Sequence, residues 1–409
     1  MTCLIDQLQP LKAARRAALL ERLGRPQAAF PVVHVAGTNG KGSTVAMVAE
    51  GLRAAGYRVG RFTSPHLESA TERFWLDGQL IAPGELEARM AEVDAACEAI
   101  APAFPDMPPV GLFDRWCAAA WGWFRDRAVD IAVVEVGIGG ATDATDALLD
   151  KRVTVVTAIG LDHTAELGPD LESIARAKAD IFRPDVPAVV LAEGPVRMVL
   201  EAAAEAAGAP LWPITPPPAA RADADRWALS LPSGPCPLAL PGAYQIENAS
   251  LALGAMAALS TRGFPMAAAA MRAGLERAHW PGRLERIDDP SGGHWLLDGA
   301  HNPAGAEALA ASWGEPEAVV FAVRGNHDAA AIMAALGRRV WVLPAGPEGE
   351  YWAPEALLAY ASGPVHVAAD LPAALDLARR LAPAGRRVVT GSIHLVGAAR
   401  AVLREELQA

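Results

Sequence analysis

One stretch, FPVVHVAGTNGKGSTVAMVAEGLRAAGYRVGRFTS, constrains this chain more than any other. An apolar run, Val32 to Val35, meets a glycine-rich turn at Gly37–Ser43. An alanine-rich helical stretch follows and stops near Gly56, and a second run spans Tyr57 to Phe62. Strand, turn, helix and strand in that order make a βαβ unit, with the turn at the carboxyl end of its first strand. Glycines let the backbone curl and aim N–H groups at phosphate oxygens, and the helix N-terminus adds positive potential. Lys41 supplies a point charge for terminal phosphates. The spacing is not the common GxxxxGK[ST], because Val35 stands five before Gly40 and Gly42 separates Lys41 from Ser43. The competing reading is a glycine-rich turn with no ligand.

Further continuous apolar runs at Asp130–Val136, Val153–Ile159 and Ala188–Ala192 read as buried parallel strands. A short helix is expected over residues 10–24, ended by Gly24. Leu211–Leu240 is rich in Pro and reads as an antiparallel or irregular insert, and 242–279 as alanine-rich helix. Beyond Trp280-Pro281-Gly282-Arg283 a second alternation begins. It predicts strands at Trp295–Asp298, Ala318–Val323, Arg339–Leu343 and Arg387–Thr390, with helices from Ala304 and at Ala329–Leu336. The class is α/β, with a domain boundary near residue 286.

Composition narrows the function. With 36 Lys and Arg against 47 Asp and Glu, the net charge is −11, which repels phosphate backbones and anionic membranes. No nucleic acid and no membrane is therefore expected as a partner. No run of about 18 uncharged apolar residues is long enough to span a bilayer, and the start, MTCLIDQLQPLKAARR, has no basic-then-apolar leader. Cys3, Cys97, Cys117 and Cys236 form no CxxC pair and sit near no His at ligand spacing, so free thiols in a reducing cytoplasm are expected.

HVAGTNGKGS followed by TSPHL at Thr63–Leu67 resembles the folylpolyglutamate synthase/dihydrofolate synthase family of the Mur ligase superfamily. The resemblance continues in order through EVGIGGATDAT (Glu135–Thr145), GLDHTAELGPDLESIARAKADIFRP (Gly160–Pro184), PGR (Pro281–Arg283), LDGAHNP (Leu297–Pro303) and GSIHLVG (Gly391–Gly397). It implies a P-loop-type, mostly parallel ATPase domain over 1–285 and a smaller Rossmann-like α/β domain over 286–409. Cell-wall Mur ligases carry a further N-terminal domain, for which the 36 residues before Gly37 leave no room.

The resemblance also implies a chemistry. ATP activates a carboxylic acid as an acyl phosphate, and the amine of an amino acid, usually L-glutamate, displaces phosphate to give an amide. Gly37, Thr38, Asn39, Gly40, Lys41, Gly42 and Ser43 would then hold phosphates, with Asn248, Arg283 and Asp298 at the nucleotide. Ser64, Glu135 and His163 match metal positions for Mg2+, with two ions expected. Oxygen ligands suit Mg2+ and imidazole suits it poorly, so the His163 assignment follows from the resemblance alone. Lys178 stands in the frame ESIARAKADIF, where the family carries a carbamylated lysine that can hold metal. Lys41, Lys178 and His301 are the catalytic candidates, and Ser392 the substrate-side one. Each has a plainer reading: Glu135 a carboxylate at a sheet end, His163 a structural histidine, Lys178 a solvated helix lysine, Arg283 a surface arginine at a linker.

The pattern drifts where the family holds its acid. Pro10-Leu11-Lys12-Ala13 stands for a DLGL-like segment, Ala141 and Asp146 for Arg and Asn of the second glycine motif, and Phe113-Asp114 for Phe-Glu. Glu68 and Ser69 replace an apolar-then-basic pair, and GNHDAAA at Gly325–Ala331 replaces a DKD-like turn. RWCAAAWGWF (Arg115–Phe124) reads as core, with stacking of a flat pterin as the alternative; Glu85 and Glu87 read as a solvated helix start. The expected function is a monomeric, ATP- and Mg2+-dependent ligase joining an amino acid to a folate-like acid. A non-folate acid, a non-catalytic nucleotide binder and a P-loop kinase are the alternatives.

Overall fold

The computed structural model describes residues 2–408 except 192, 195, 224, 315 and 347–349, and no side chain of residues 2–9 or 408. Ala192, which closes an expected strand, and the Cys3 side chain lie outside the described residues.

The first sheet contains β1 (Val32–Ala36), β2 (Val59–Phe62), β3 (Phe74–Leu76), β4 (Gln79–Leu80), β5 (Ile131–Glu135), β6 (Lys151–Val156), β7 (Ala188–Leu191) and β8 (Leu211–Ile214). Their spatial order is β4-β3-β2-β5-β1-β6-β7-β8. From β2 to β8 every pairing is parallel, while β3 and β4 add an antiparallel edge. Central strands are mostly apolar because helices cover both faces: β1 and β5 are buried at every position, His34 and Glu135 included. The helices Lys41–Ala54, Gln245–Ser260 and Ala268–Arg277 pack together on one face. On the other, Trp121 and Phe124 of the helix Leu112–Asp126 form an aromatic cluster with Phe30 and Phe62.

A small antiparallel sheet, β9 (Ala219–Arg221), β10 (Trp227–Leu231) and β11 (Gly234–Pro237), follows. The last sheet contains β12 (Glu285–Asp288), β13 (His294–Leu297), β14 (Ala318–Phe321), β15 (Trp341–Pro344), β16 (Val365–Ala368) and β17 (Arg386–Thr390). Its order is β12-β13-β17-β14-β15-β16, parallel except for β12. The mixed α/β class is as expected.

Several details differ from the sequence reading. Leu211–Ile214 is not part of the insert but the edge strand beside β7, where Pro213 is tolerated because an edge strand has a free side. The first helix starts at Thr2, well before residue 10. The 242–279 stretch is two helices, interrupted after Ser260. Glu85 stands in the first turn of its helix, as expected, but is only half-exposed and accepts hydrogen bonds from Trp123 Nε1 (3.0 Å) and Arg127 (2.6 Å). Cys97, Cys117 and Cys236 are free thiols. No described helix is long and apolar enough to cross a membrane.

Candidate active site

The carboxyl ends of β1, β5 and β6 face those of β13 and β17 across one cavity of about 680 Å3. Open parallel sheets leave such a crevice where neighbouring crossovers run to opposite sides. Every site residue expected from the sequence lines it: Gly37–Ser43, Ser64, Glu135, His163, Lys178, Asn248, Arg283, Asp298, His301 and Ser392.

The glycine loop is held in shape from below. Gly37 has φ +145° and Gly40 φ +89°, conformations that L side chains rarely adopt. A Cβ on Gly40 would also sit 2.0 Å from Asn248 Oδ1. Asn248 thus packs directly under the loop, and its amide donates to Gln245 Oε1 (2.9 Å). Thr157 Oγ1 donates to the Asn39 carbonyl (2.8 Å) and Thr38 Oγ1 to that of Gly160 (3.1 Å). The loop leads into the N-terminus of the helix Lys41–Ala54.

Lys41 Nζ donates to the Thr38 carbonyl (3.0 Å) and lies 4.0 Å from Glu135 Oε1. Burial raises the Glu135 pKa, opposed by Lys41 and by the Ser64 backbone N–H, which donates to Oε2 at 3.3 Å. Lys178 is only 4% exposed. Burial, reinforced by the charge of Lys41, brings its amine down to about 7.

The second sheet supplies the opposite wall. Asp298 is buried and accepts from Tyr244 Oη (2.8 Å), Leu284 N (2.9 Å) and Ala300 N (2.9 Å). Burial raises its pKa, against the pull of nearby Arg283. His301 Nδ1 contacts the Gly299 carbonyl at 2.7 Å. Ser392 Oγ lies 3.1 Å from Tyr351 Oη.

These observations decide the family when set beside known proteins. A family model described as Mur ligase, glutamate ligase domain, matches residues 282–393. The dihydrofolate synthase/folylpolyglutamate synthase of Mycobacterium tuberculosis is 36% identical over 357 residues, covering 79% of this chain and 71% of that protein. The folylpolyglutamate synthase of Lacticaseibacillus casei is 33% identical over 332 residues, covering 78% and 77%. The chain belongs to the folylpolyglutamate synthase/dihydrofolate synthase family. Among solved structures, Mycobacterium tuberculosis folylpolyglutamate synthase complexed with ADP matches with a TM-score of 0.86 at 34% identity, covering 98% of both chains. E. coli FolC in complex with DHPP and ADP matches with 0.81 at 32%, covering 96% and 93%.

In this folylpolyglutamate synthase/dihydrofolate synthase relative, sequence reasoning left several cavity residues unassigned. Asp162 is the hub of one group. Asn302 donates to it (3.1 Å), His301 Nε2 lies 3.7 Å away and His327 Nδ1 3.8 Å. Burial alone would raise Asp162, but His301, His163 and Asn302 hold it well below the usual carboxylate range. Its signal was adjacency to His163; His327 lies in the GNHDAAA turn, which the sequence marked only as a departure. Arg73 stacks over Trp116 at 3.9 Å and donates to His66 Nδ1 at 3.0 Å. Trp116 and Phe113 face the cavity, whereas Trp121 and Trp123 are core. The Trp-rich stretch is therefore core at Trp121 and Trp123, as expected, with Trp116 at the cavity wall.

Three of the departures turn out to hold the scaffold. Asp146 pairs with Arg183 (2.6 Å) and Lys151 (2.5 Å), Asp114 with Arg16 (2.6 Å), and Glu68 with Arg400.

The donors fit a magnesium ion that shares its shell with a ligand. Among the described residues no three His, Cys, Asp or Glu side chains form a ready cage. Ser64 and the buried Glu135 carboxylate instead present hard oxygens beside the loop, as suits an ion that keeps water and phosphate in its shell.

Proposed function

We propose that this ADP-forming acid–amino-acid ligase joins L-glutamate to a folate-like carboxylic acid through an acyl phosphate. One observation carries the reading: a single cavity gathers the phosphate loop, Glu135 and Lys178 from one sheet with Arg283, Asp298, His301 and Ser392 from the other. Residues 1–285 and 286–409 would work as two halves that close over the substrates and keep water from the activated acid.

The loop N–H groups and Lys41 bind and orient the triphosphate, and Arg283 neutralises charge from the opposite wall. Asn248 keeps the loop in register, and Asp298 faces the nucleoside. Ser64, Glu135 and His163, with Lys178 as its carbamate, would hold Mg2+, which supplies charge neutralisation at the transferring phosphoryl group when bound.

Lys178 has the chemistry for this modification. A neutral amine adds CO2 to give a carbamate and a released proton, so a buried cation becomes an extended anion. An amine at about 7 is half neutral at that pH, where an ordinary lysine is almost wholly charged.

His301 and Ser392 would receive the incoming amino acid. Trp116, Phe113 and Ile138 give the cavity an apolar end suited to a flat aromatic acid. Free thiols at Cys97, Cys117 and Cys236 suit a reducing, cytoplasmic setting.

The test is a panel of acids with ATP, magnesium and labelled glutamate, read by ADP release and product mass. Dihydropteroate or a reduced folate should give ADP and a product heavier by one glutamyl unit. Turnover confined to simple aryl acids would remove the folate assignment. A phosphorylated end product would replace the ligase with a kinase.

A further inference from the structure

Gly42 is the second residue of the helix Lys41–Ala54, and no left-handed backbone calls for glycine there. Within a helix glycine is less stable than alanine, so its use needs a reason. Trp280 supplies one. A Cβ on Gly42 would sit 2.6 Å from Cζ2 of that indole and 2.7 Å from its Cε2 and Nε1. The ring therefore packs directly on the backbone between Lys41 and Ser43.

The indole is itself held. Arg61 and Trp75 stand opposite each other on β2 and β3. The Arg61 guanidinium lies 4.8 Å from the Trp75 ring centre and 5.0 Å from that of Trp280. Arg61 is 9% exposed, and its Nε has no hydrogen-bond partner among the described residues. Burial brings the guanidinium down to about 10, against the pull of Glu135 and Glu50, so it keeps its charge at neutral pH. A desolvated cation gains more from an aromatic face than an exposed one does, and here two rings supply it.

From Trp280 the chain runs straight into Pro281-Gly282-Arg283, at the junction of the two halves. Gly282 has φ +71° and Leu284 φ +49°, so Arg283 stands between two left-handed residues. For a buried leucine that conformation is costly and persists where the surroundings impose it. The second sheet imposes it from one side. Asp298 accepts from Leu284 N (2.9 Å), the Gly282 carbonyl from Gly299 N (3.0 Å), and Glu285 from Gly282 N (2.8 Å). Trp280, three residues before Arg283, anchors the other side on the phosphate loop.

We propose that Trp280, held by Arg61 against Gly42, is a positioning residue for phosphoryl transfer: it sets where Arg283 stands relative to Lys41. The proposal rests on the reading above that both cations serve the triphosphate. Phosphoryl transfer depends on placed charge more than on covalent help from the protein. A small displacement of Arg283 therefore slows the step while the loop still binds nucleotide. Trp280 does not line the active-site cavity, so it acts through Arg283.

The test measures ADP release with a reduced folate and L-glutamate, and ATP binding by equilibrium dialysis. Trp280→Ala should lower kcat about tenfold or more with ATP affinity unchanged. Trp280→Phe, which keeps a ring over Gly42, should restore most of the rate. Trp280→Ala combined with Arg283→Ala should turn over no more slowly than Arg283→Ala alone. Losses that multiply would overturn the proposal, because a general loss of structure compounds any other defect. Weakened ATP binding with kcat intact would overturn it too, as would full turnover by Arg283→Ala. If Trp280→Ala fails to fold, Arg61→Met carries the same comparison, since it frees the indole without removing it. Failure of the ligase reading shows separately, as no ADP release by the unmodified protein with any acid.

Discussion

Asn39 and Asn302 exchange two side-chain hydrogen bonds of 3.0 Å each, joining the phosphate loop to the turn after β13. Asn302 also donates to Asp162 and caps the helix Pro303–Ala310 through Gly305 N at 2.8 Å. One amide thus ties the loop, the Asp162 cluster and the second sheet together.

Asn302→Ala should therefore cost more than a surface change. Losing the cap and the paired bonds is worth about 1–3 kcal/mol. Thermal unfolding should show a lowered Tm. Steady-state kinetics should show kcat falling more than the KM for ATP rises, because the two walls lose their register while the loop itself stays intact.

Lys178→Ala should abolish most ligase turnover while ATP still binds, as equilibrium dialysis would show. In the unmodified protein, 13C-labelled bicarbonate should give a carbamate resonance that the variant lacks. The pH sign follows from the amine: CO2 adds only to the neutral form, so both resonance and turnover should rise as pH increases through about 7. A signal strongest at low pH would exclude the modification.

The same residue should weigh against stability. Its folded pKa of about 7 lies below the ordinary lysine value of 10.5, so between these pH values the unfolded chain binds more protons and stability rises with pH. Lys178→Met, measured in CO2-free buffer near neutrality, should raise Tm by a few degrees, since a buried ammonium is replaced by an apolar chain.

Gly40→Ala should sharply weaken nucleotide binding. The added methyl meets both a φ of +89° and the Asn248 side chain, so the loop must distort. Trp116→Ala should act differently, raising the KM for the acid about tenfold through lost stacking while leaving ATP binding alone.

Much of this was legible in the chain. The βαβ unit announced itself because buried parallel strands are continuous apolar runs, and the glycine loop because phosphate binding demands particular backbone freedom. Lys178 and Asp298 were findable through the motif frames around them. The edge strand Leu211–Ile214 was not, because Pro213 and half-exposed neighbours erase a strand signal that only the pairing with β7 restores. Arg61 was invisible for another reason. Nothing local says that Trp75 and Trp280, distant in sequence, will close on its two faces. Asp162, His327 and Asn302 likewise become a cluster only when the two sheets meet.

The most direct measurement is oxygen transfer from an acid labelled with 18O in its carboxyl group. If the acid is activated as an acyl phosphate, each turnover should place one 18O atom in the released inorganic phosphate while forming one amide and one ADP. Unlabelled phosphate accompanying amide formation would contradict that mechanism.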